Sequence, residues 1–322
     1  MQEITEIQAV RRSNFLAVSE FFRRHRTATI PQVAEEVGLS LPTVTRAINS
    51  GIALKVFTSV GICDSDRGRK AVAYSINPDF MHCGVLYFFS DTLHFEVFNF
   101  QFERLFERSF DINNDNVMEI LDYVVATSME KDAGIGFYVF GVPGSVHDNV
   151  IVECYRFPSL EGIDLLEHFS EMTGKPIMIE NNMRAAVNGA KEYMPDFDSK
   201  TVVAYTYGFK KYGVGISIDG KLHPGACGRA GDIGEIYNIP HDMPNLEFFA
   251  NQLKAVIAVL DPDRIMLYPT DDDCTFDMMA DKMAEHFGEG IRRHLIRDKD
   301  LYDDCLNGLL WIFYDEIKTT FG

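Results

Sequence analysis

No run of apolar residues in this 322-residue chain approaches the ~20 that a membrane-crossing helix needs. The N-terminal stretch MQEITEIQAVRRSNF lacks the apolar centre of a signal peptide. Cysteine is sparse. The six, at 63, 83, 154, 227, 274 and 305, include no CxxC pair. That spacing excludes a zinc knuckle and a disulfide framework, and it fits a reducing cytoplasm. Positive charge is also short, with 30 Lys and Arg against 48 Asp and Glu, a net charge of −18. Such a chain does not bind nucleic acid over its whole surface. The deficit is uneven, however. Residues 1–80 carry 10 basic and 8 acidic side chains, and residues 81–322 carry 20 and 40. A near-neutral to basic head precedes a strongly acidic body, a pattern that points to nucleic-acid binding by the head alone.

The head reads as a DNA-binding unit. In NFLAVSEFFRRHR, Phe15, Val18 and Phe22 recur at helical spacing. Thr29 and Gln32 form a capping box, and Pro31 falls in the first helical turn, where its missing N–H costs nothing. This helix is expected to run to about Val37, with Gly38 taking the turn and Ser40 capping a helix from about Pro42. Ala34, Gly38 and Val44 then have the spacing of a helix-turn-helix. The second helix offers Thr43, Thr45, Arg46 and Asn49 as phosphate and base-edge donors. Two β-rich runs, ALKVFTSVGI and AVAYSIN, flank a tip holding Arg67, Arg69 and Lys70. Together they describe a wing of the kind that lays basic side chains on a minor groove. NPDF, at 77–80, reads as the boundary, so residues 1–80 are expected as a winged-helix domain.

The body alternates strands and helices. Three β-rich runs (GVLYFFS, LHFEVFNF, RLFERSF) lead into a helix, a strand, a helix, a strand and a helix. The pattern then partly restarts at KTVVAYTYG, with KLHPGA expected as a strand, and closes on the helix CLNGLLWIFYDEIK. Two such halves predict two mixed-sheet lobes around a cleft, at about 81–195 and 196–322.

The order GVPG, RFPSLEGIDLLEHF, PIMIENNMRAAVNGA, YGVGISIDGKLHPGACGRAGDIGE and AVIAVLDPDRIML resembles the ROK family of repressors, open reading frames and kinases. The resemblance covers most of the chain and is firmest over 134–235. It implies an α/β fold, an N-terminal winged helix followed by a two-lobed actin/hexokinase-like body around a sugar and nucleotide cleft. Family members with a winged helix in front are repressors, and members without it are sugar kinases. The catalytic base of the kinases resembles the Asp of a Glu-Asn-Asp triplet. Here the triplet is Glu180-Asn181-Asn182, and an amide cannot accept the sugar proton at neutral pH.

Other family signatures are altered too. The first phosphate turn, around Asp91, has no glycine. The second keeps Gly208, Gly213 and Gly215 but places Lys210 and Lys211 between them. The strand RIMLY runs into three aspartates, 271 to 273, where a glycine-rich nucleotide turn is expected. In the sugar pocket, Asp232 and Glu235 replace the Glu and His of the family's Gly-Glu-Ile-Gly-His, and Ser159 replaces an Asn. The family's cysteine-rich zinc segment is missing.

The resemblance therefore implies a cytoplasmic regulator and no enzyme, with no catalytic residue, cofactor or metal. It would bind a duplex DNA operator as a homodimer or dimer of dimers. Its cleft would accept a sugar or sugar derivative through Ser159, Glu180, Asn181, Asn182, Asp232 and Glu235. For Asn181 and Asn182, helix capping and ligand binding both stay open. Two alternatives remain: a residual ATP-dependent sugar kinase with a regulatory head, and a regulator with no small-molecule ligand.

Overall fold

A computed structural model describes residues 6–64, 70–154, 156–208, 213–233, 245–270, 272–297 and 299–321. The head is built from helix α1 (Glu6–Arg24), strand β1 (Ala28–Thr29), helices α2 (Ile30–Val37) and α3 (Leu41–Ala53), and strands β2 (Phe57–Asp64) and β3 (Lys70–Ile76). The local signals act as their chemistry requires. Gln32 Oε1 accepts from the Thr29 backbone N–H and from its hydroxyl, both at 2.9 Å, which closes the start of α2. Gly38 ends that helix in the left-handed region, φ 71°, where a Cβ would be strained. Val44, Ala47 and Ile48 face Phe15, Val18, Phe22 and Val33 in a closed apolar core. The three strands pair antiparallel in the order β1-β3-β2, with Asp64 opposite Lys70 just before the tip.

The body holds two sheets of the same plan. In the first half, strands β4 (His82–Phe89), β5 (Thr92–Phe98) and β6 (Arg104–Asp111) form an antiparallel meander. Helix α4 (Val117–Lys131) returns the chain to β7 (Ile135–Val142), a small hairpin follows in β8 (Ser145–His147) and β9 (Val150–Glu153), and α5 (Leu165–Thr173) leads to β10 (Ile177–Asn181) and α6 (Asn182–Gly189). The sheet order is β10-β7-β4-β5-β6, with β7 parallel to both β4 and β10. In the second half come β11 (Val202–Tyr207), β12 (Gly213–Ile218), β13 (Lys221–Leu222), α7 (Asn245–Leu260), β14 (Arg264–Pro269), α8 (Phe276–Phe287), β15 (Leu295–Ile296) and α9 (Leu301–Thr319). Their order is β15-β14-β11-β12-β13, the first plan repeated strand for strand.

Each sheet covers its outer face with its own helices. Leu121, Val124 and Phe169 of α4 and α5 pack on Leu86, Phe95 and Phe140, and Phe249, Leu253 and Met279 of α7 and α8 pack on Tyr205 and Leu267. The last helix of each half crosses over: α6 packs mainly against β11 and β12, and α9 against β4 and β7. The two helices meet between the sheets at a glycine crossing. A Cβ on Gly308 would lie 1.7 Å from the Ala185 carbonyl oxygen, and one on Gly189 would lie 2.1 Å from that of Asp304. A single apolar core runs from the head through α9 to both inner sheet faces. The expected strand KLHPGA shrinks to Lys221–Leu222. Pro224 has no N–H for the ladder and Gly225 is at φ 76°, so the chain turns away.

Candidate functional site

In the head, the outer side of α3 carries the residues expected to meet DNA. Arg46 and Asn49 are exposed, on the opposite side of the helix from Val44, Ala47 and Ile48. Thr43 and Thr45 are half-buried, and their hydroxyls have local duties. Thr43 shares a 2.8 Å hydrogen bond with Ser40, and Thr45 donates to the Leu41 carbonyl at 2.7 Å. Thr45 has thus spent its proton and keeps only acceptor capacity for a ligand, while in the Ser40–Thr43 pair either hydroxyl can be the donor. Lys70 is exposed at the base of the wing, and Arg67 and Arg69 lie outside the described residues.

In the body, the junction of β10 and α6 gathers the polar groups. Asn181 is the N-cap of α6. Its Oδ1 accepts from the backbone N–H of Met183 at 2.8 Å and of Arg184 at 3.1 Å, while its Nδ2 donates to the Gly144 carbonyl at 2.7 Å. The side chain thus satisfies two open helix donors and ties the helix to the β7–β8 turn. Asn182 Nδ2 donates to the Phe88 carbonyl at 3.1 Å, and its Oδ1 is enclosed with no hydrogen-bond partner among the described residues. Glu180 Oε1 accepts from the Asn181 N–H at 2.7 Å and from Arg184 Nε at 2.6 Å.

Arg184, which carries no motif of its own in the sequence, is buried. Its guanidinium also donates to the Gly228 carbonyl at 3.1 Å and reaches that of Val146 at 3.5 Å. Glu180 lies on β10 and not on the helix, so the helical i,i+4 rule gave no signal for this pair. This ion pair binds the helix start, the β8–β9 hairpin and the loop holding Asp232 into one wall. Asp232 is half-buried on that loop, and its backbone N–H donates to the Arg229 carbonyl at 3.1 Å. Glu235 lies outside the described residues. Ser159 is engaged elsewhere: its hydroxyl donates to the Asn114 carbonyl and its N–H to the Asn114 side chain, each at 2.8 Å, holding the loop before α4.

Of the glycines kept from the phosphate-turn pattern, Gly213 and Gly215 have a packing role. A Cβ at Gly215 would fall 1.8 Å from the Met183 carbonyl oxygen, so β12 presses directly on the first turn of α6. At the other turn, Ser90 adopts φ 57° and one carboxylate oxygen of Asp91 is ion-paired with Arg156 at the surface. Lys210, Lys211 and Asp271 lie outside the described residues. Among the described residues no three His, Cys, Asp or Glu side chains gather as a metal site, and no helix is long and apolar enough to cross a membrane.

A duplicated α/β body with helices exchanged between its sheets, behind a winged helix, has the two-lobed sugar-kinase-like fold. Residues 90–245 match the ROK family. It is 23% identical over 215 residues to the xylose repressor of Bacillus spizizenii, covering 64% of this chain and 55% of the relative. It is 26% identical over 144 residues to the N-acetyl-D-glucosamine kinase of Histophilus somni, covering 44% and 47%. The chain thus spans about half the length of these relatives. A solved ROK-family transcriptional regulator, a homologue of the Escherichia coli Mlc protein, superposes over 97% of this chain and 98% of its own, with a TM-score of 0.69 at 13% identity. A putative N-acetylmannosamine kinase from Listeria monocytogenes superposes over 74% of this chain with a TM-score of 0.60, so the likeness to kinases covers less of the chain.

Proposed function

We propose that this protein is a sugar-responsive transcriptional regulator, acting as a repressor, and that its kinase-like body senses without catalysing. The observation that carries the reading is the pairing of an exposed recognition face on α3 with an amide at the base position. Asn182 Nδ2 is spent on the Phe88 carbonyl, and the atom left over, where a kinase needs a proton accepted, is an amide oxygen, which is no base at neutral pH. The repressor relatives and the full-length likeness to a ROK regulator support the same assignment.

In this reading a homodimer in the cytoplasm places two α3 helices in successive major grooves of an operator. Arg46 and Asn49 read bases, while Thr43, Thr45, Lys70, Arg67 and Arg69 hold the backbone and minor groove. A sugar or sugar derivative binds at the wall formed by Glu180, Asn182 and Asp232, and Glu235, outside the described residues, is the further candidate to hold it. The bound sugar favours one lobe arrangement and with it one spacing of the heads. Asn181 and Ser159 act by positioning, since their polar atoms are engaged by Met183, Arg184, Gly144 and Asn114. The test is selection of bound duplexes from a random pool by the full chain. Enrichment of a two-fold symmetric sequence, lost in Arg46→Ala, is expected; no enrichment by the unaltered protein refutes the reading.

A further inference from the structure

The C-terminal helix α9 is held at both ends. Its first turn is bonded to both sheets. Tyr302 donates to Glu96 Oε1 at 2.9 Å, beside the bond from Tyr87 at 2.7 Å, and Glu96 is a buried carboxylate on β5 of the first sheet. Arg104 Nε meets the other oxygen of Glu96 at 2.5 Å. Two residues on, Asp304 accepts from Tyr268 at 2.7 Å, on β14 of the second sheet, and from Tyr193 at 3.2 Å. Asp304 is itself buried. The two sheets therefore grip adjacent sides of one helical turn through buried carboxylates, and such bonds are costly to break.

The far end, ~28 Å away at 1.5 Å per residue, belongs to the head. Arg12 of α1 donates to the Thr319 carbonyl at 2.6 Å, Lys318 lies 3.4 Å from Glu20, and Phe321 packs edge-on against Phe15 with ring centroids 5.5 Å apart. Between the ends the helix cannot easily slip. Gly308 touches the backbone of α6, and Asn188 donates to its carbonyl at 3.0 Å. The helix α6 starts at the candidate ligand wall, so α9 touches every part that a regulator must connect.

We infer that α9 is the lever that couples the arrangement of the two lobes to the head. Opening the lobes must either break the Tyr302–Glu96 or the Asp304–Tyr268 contact or carry α9 with one sheet. Because the helix is rigid and closely packed, carrying it moves Thr319 and Phe321 and thus the seat of α1. The inference rests on reading the chain as a regulator.

The experiment is a hydrogen-exchange cycle on the full chain, following the α1 amides with the α4 amides as an internal control. One variant relaxes the cleft end (Tyr302→Phe with Asp304→Asn), one relaxes the head end (Phe321→Ala), and one combines them. The cleft-end variant is expected to speed α1 exchange by about ten-fold without changing α4, and the combined variant to exchange no faster than Phe321→Ala alone. Unchanged α1 exchange in the cleft-end variant, or effects that multiply in the combination, would overturn the inference. Tyr302→Phe alone, which deletes one hydroxyl, is used for the same readout if the double substitution does not fold. The cycle uses no DNA, so failure of the regulator reading appears separately, as absence of duplex binding by the unaltered protein.

Discussion

Replacing Asn181 by alanine separates capping from ligand binding at the start of α6. In the fold the side chain accepts two backbone N–H groups and donates to the Gly144 carbonyl. Loss of an N-cap costs about 1 kcal/mol. Leaving the part-buried Gly144 acceptor without its donor adds about 1 kcal/mol. The expected loss is about 2 kcal/mol, read as a shift of the urea midpoint at constant slope. Asn181→Asp keeps the acceptor for Met183 and Arg184 but loses the donor to Gly144, so it should lose about half as much. A change below about 0.5 kcal/mol in Asn181→Ala would refute the structural assignment. It would return Asn181 to the set of ligand-binding groups.

Gly308→Ala gains about 1 kcal/mol of helix propensity. It also drives a methyl into the Ala185 carbonyl, where neither backbone can yield, so a net loss of about 2 kcal/mol in urea unfolding is expected. Burial raises the Cys154 thiol to about 11 and the Cys305 thiol to about 12, and it holds Cys83 well above its ordinary value. Of Cys83, Cys154, Cys227, Cys274 and Cys305, iodoacetamide at neutral pH should therefore modify exposed Cys227 first in peptide mass maps, with the others following only on unfolding. Asn182→Asp restores a carboxylate at the base position and should still form no phosphosugar from magnesium-ATP and a hexose panel, because Asp91 is paired with Arg156 and β12 packs its glycines on α6. Phosphosugar above the rate of the unaltered protein would contradict that expectation.

How legible each part was depended on the range of the interactions that build it. The head followed from contacts a few residues apart: the Thr29–Gln32 box, the left-handed Gly38 and the plugging Val44 all act where the sequence placed them. The β10–α6 junction was legible for the same reason, since Asn181 caps its own helix. The crossing of α6 and α9 to opposite sheets was hidden, because it depends on Gly189 and Gly308 meeting backbone more than a hundred residues away in the chain. Arg184 looked like an ordinary helix residue until the loop at Gly228 and the hairpin at Val146 closed over it. Gly215 fitted a phosphate-turn pattern, and its tight contact with Met183 is visible only in three dimensions. Tyr302 and Asp304 sit on a helix recognised by its apolar period, and periodicity is silent about polar partners on distant strands.

The most direct measurement is a sugar titration of the full chain bound to its selected duplex, followed by fluorescence anisotropy at fixed salt, with ATP absent and then present. One sugar is expected to lower duplex affinity by at least about ten-fold, equal to about 1.4 kcal/mol of coupling, and ATP to change neither the affinity nor the sugar. Conversion of the sugar to a phosphosugar in the ATP arm, or duplex affinity untouched by every sugar tried, would contradict this.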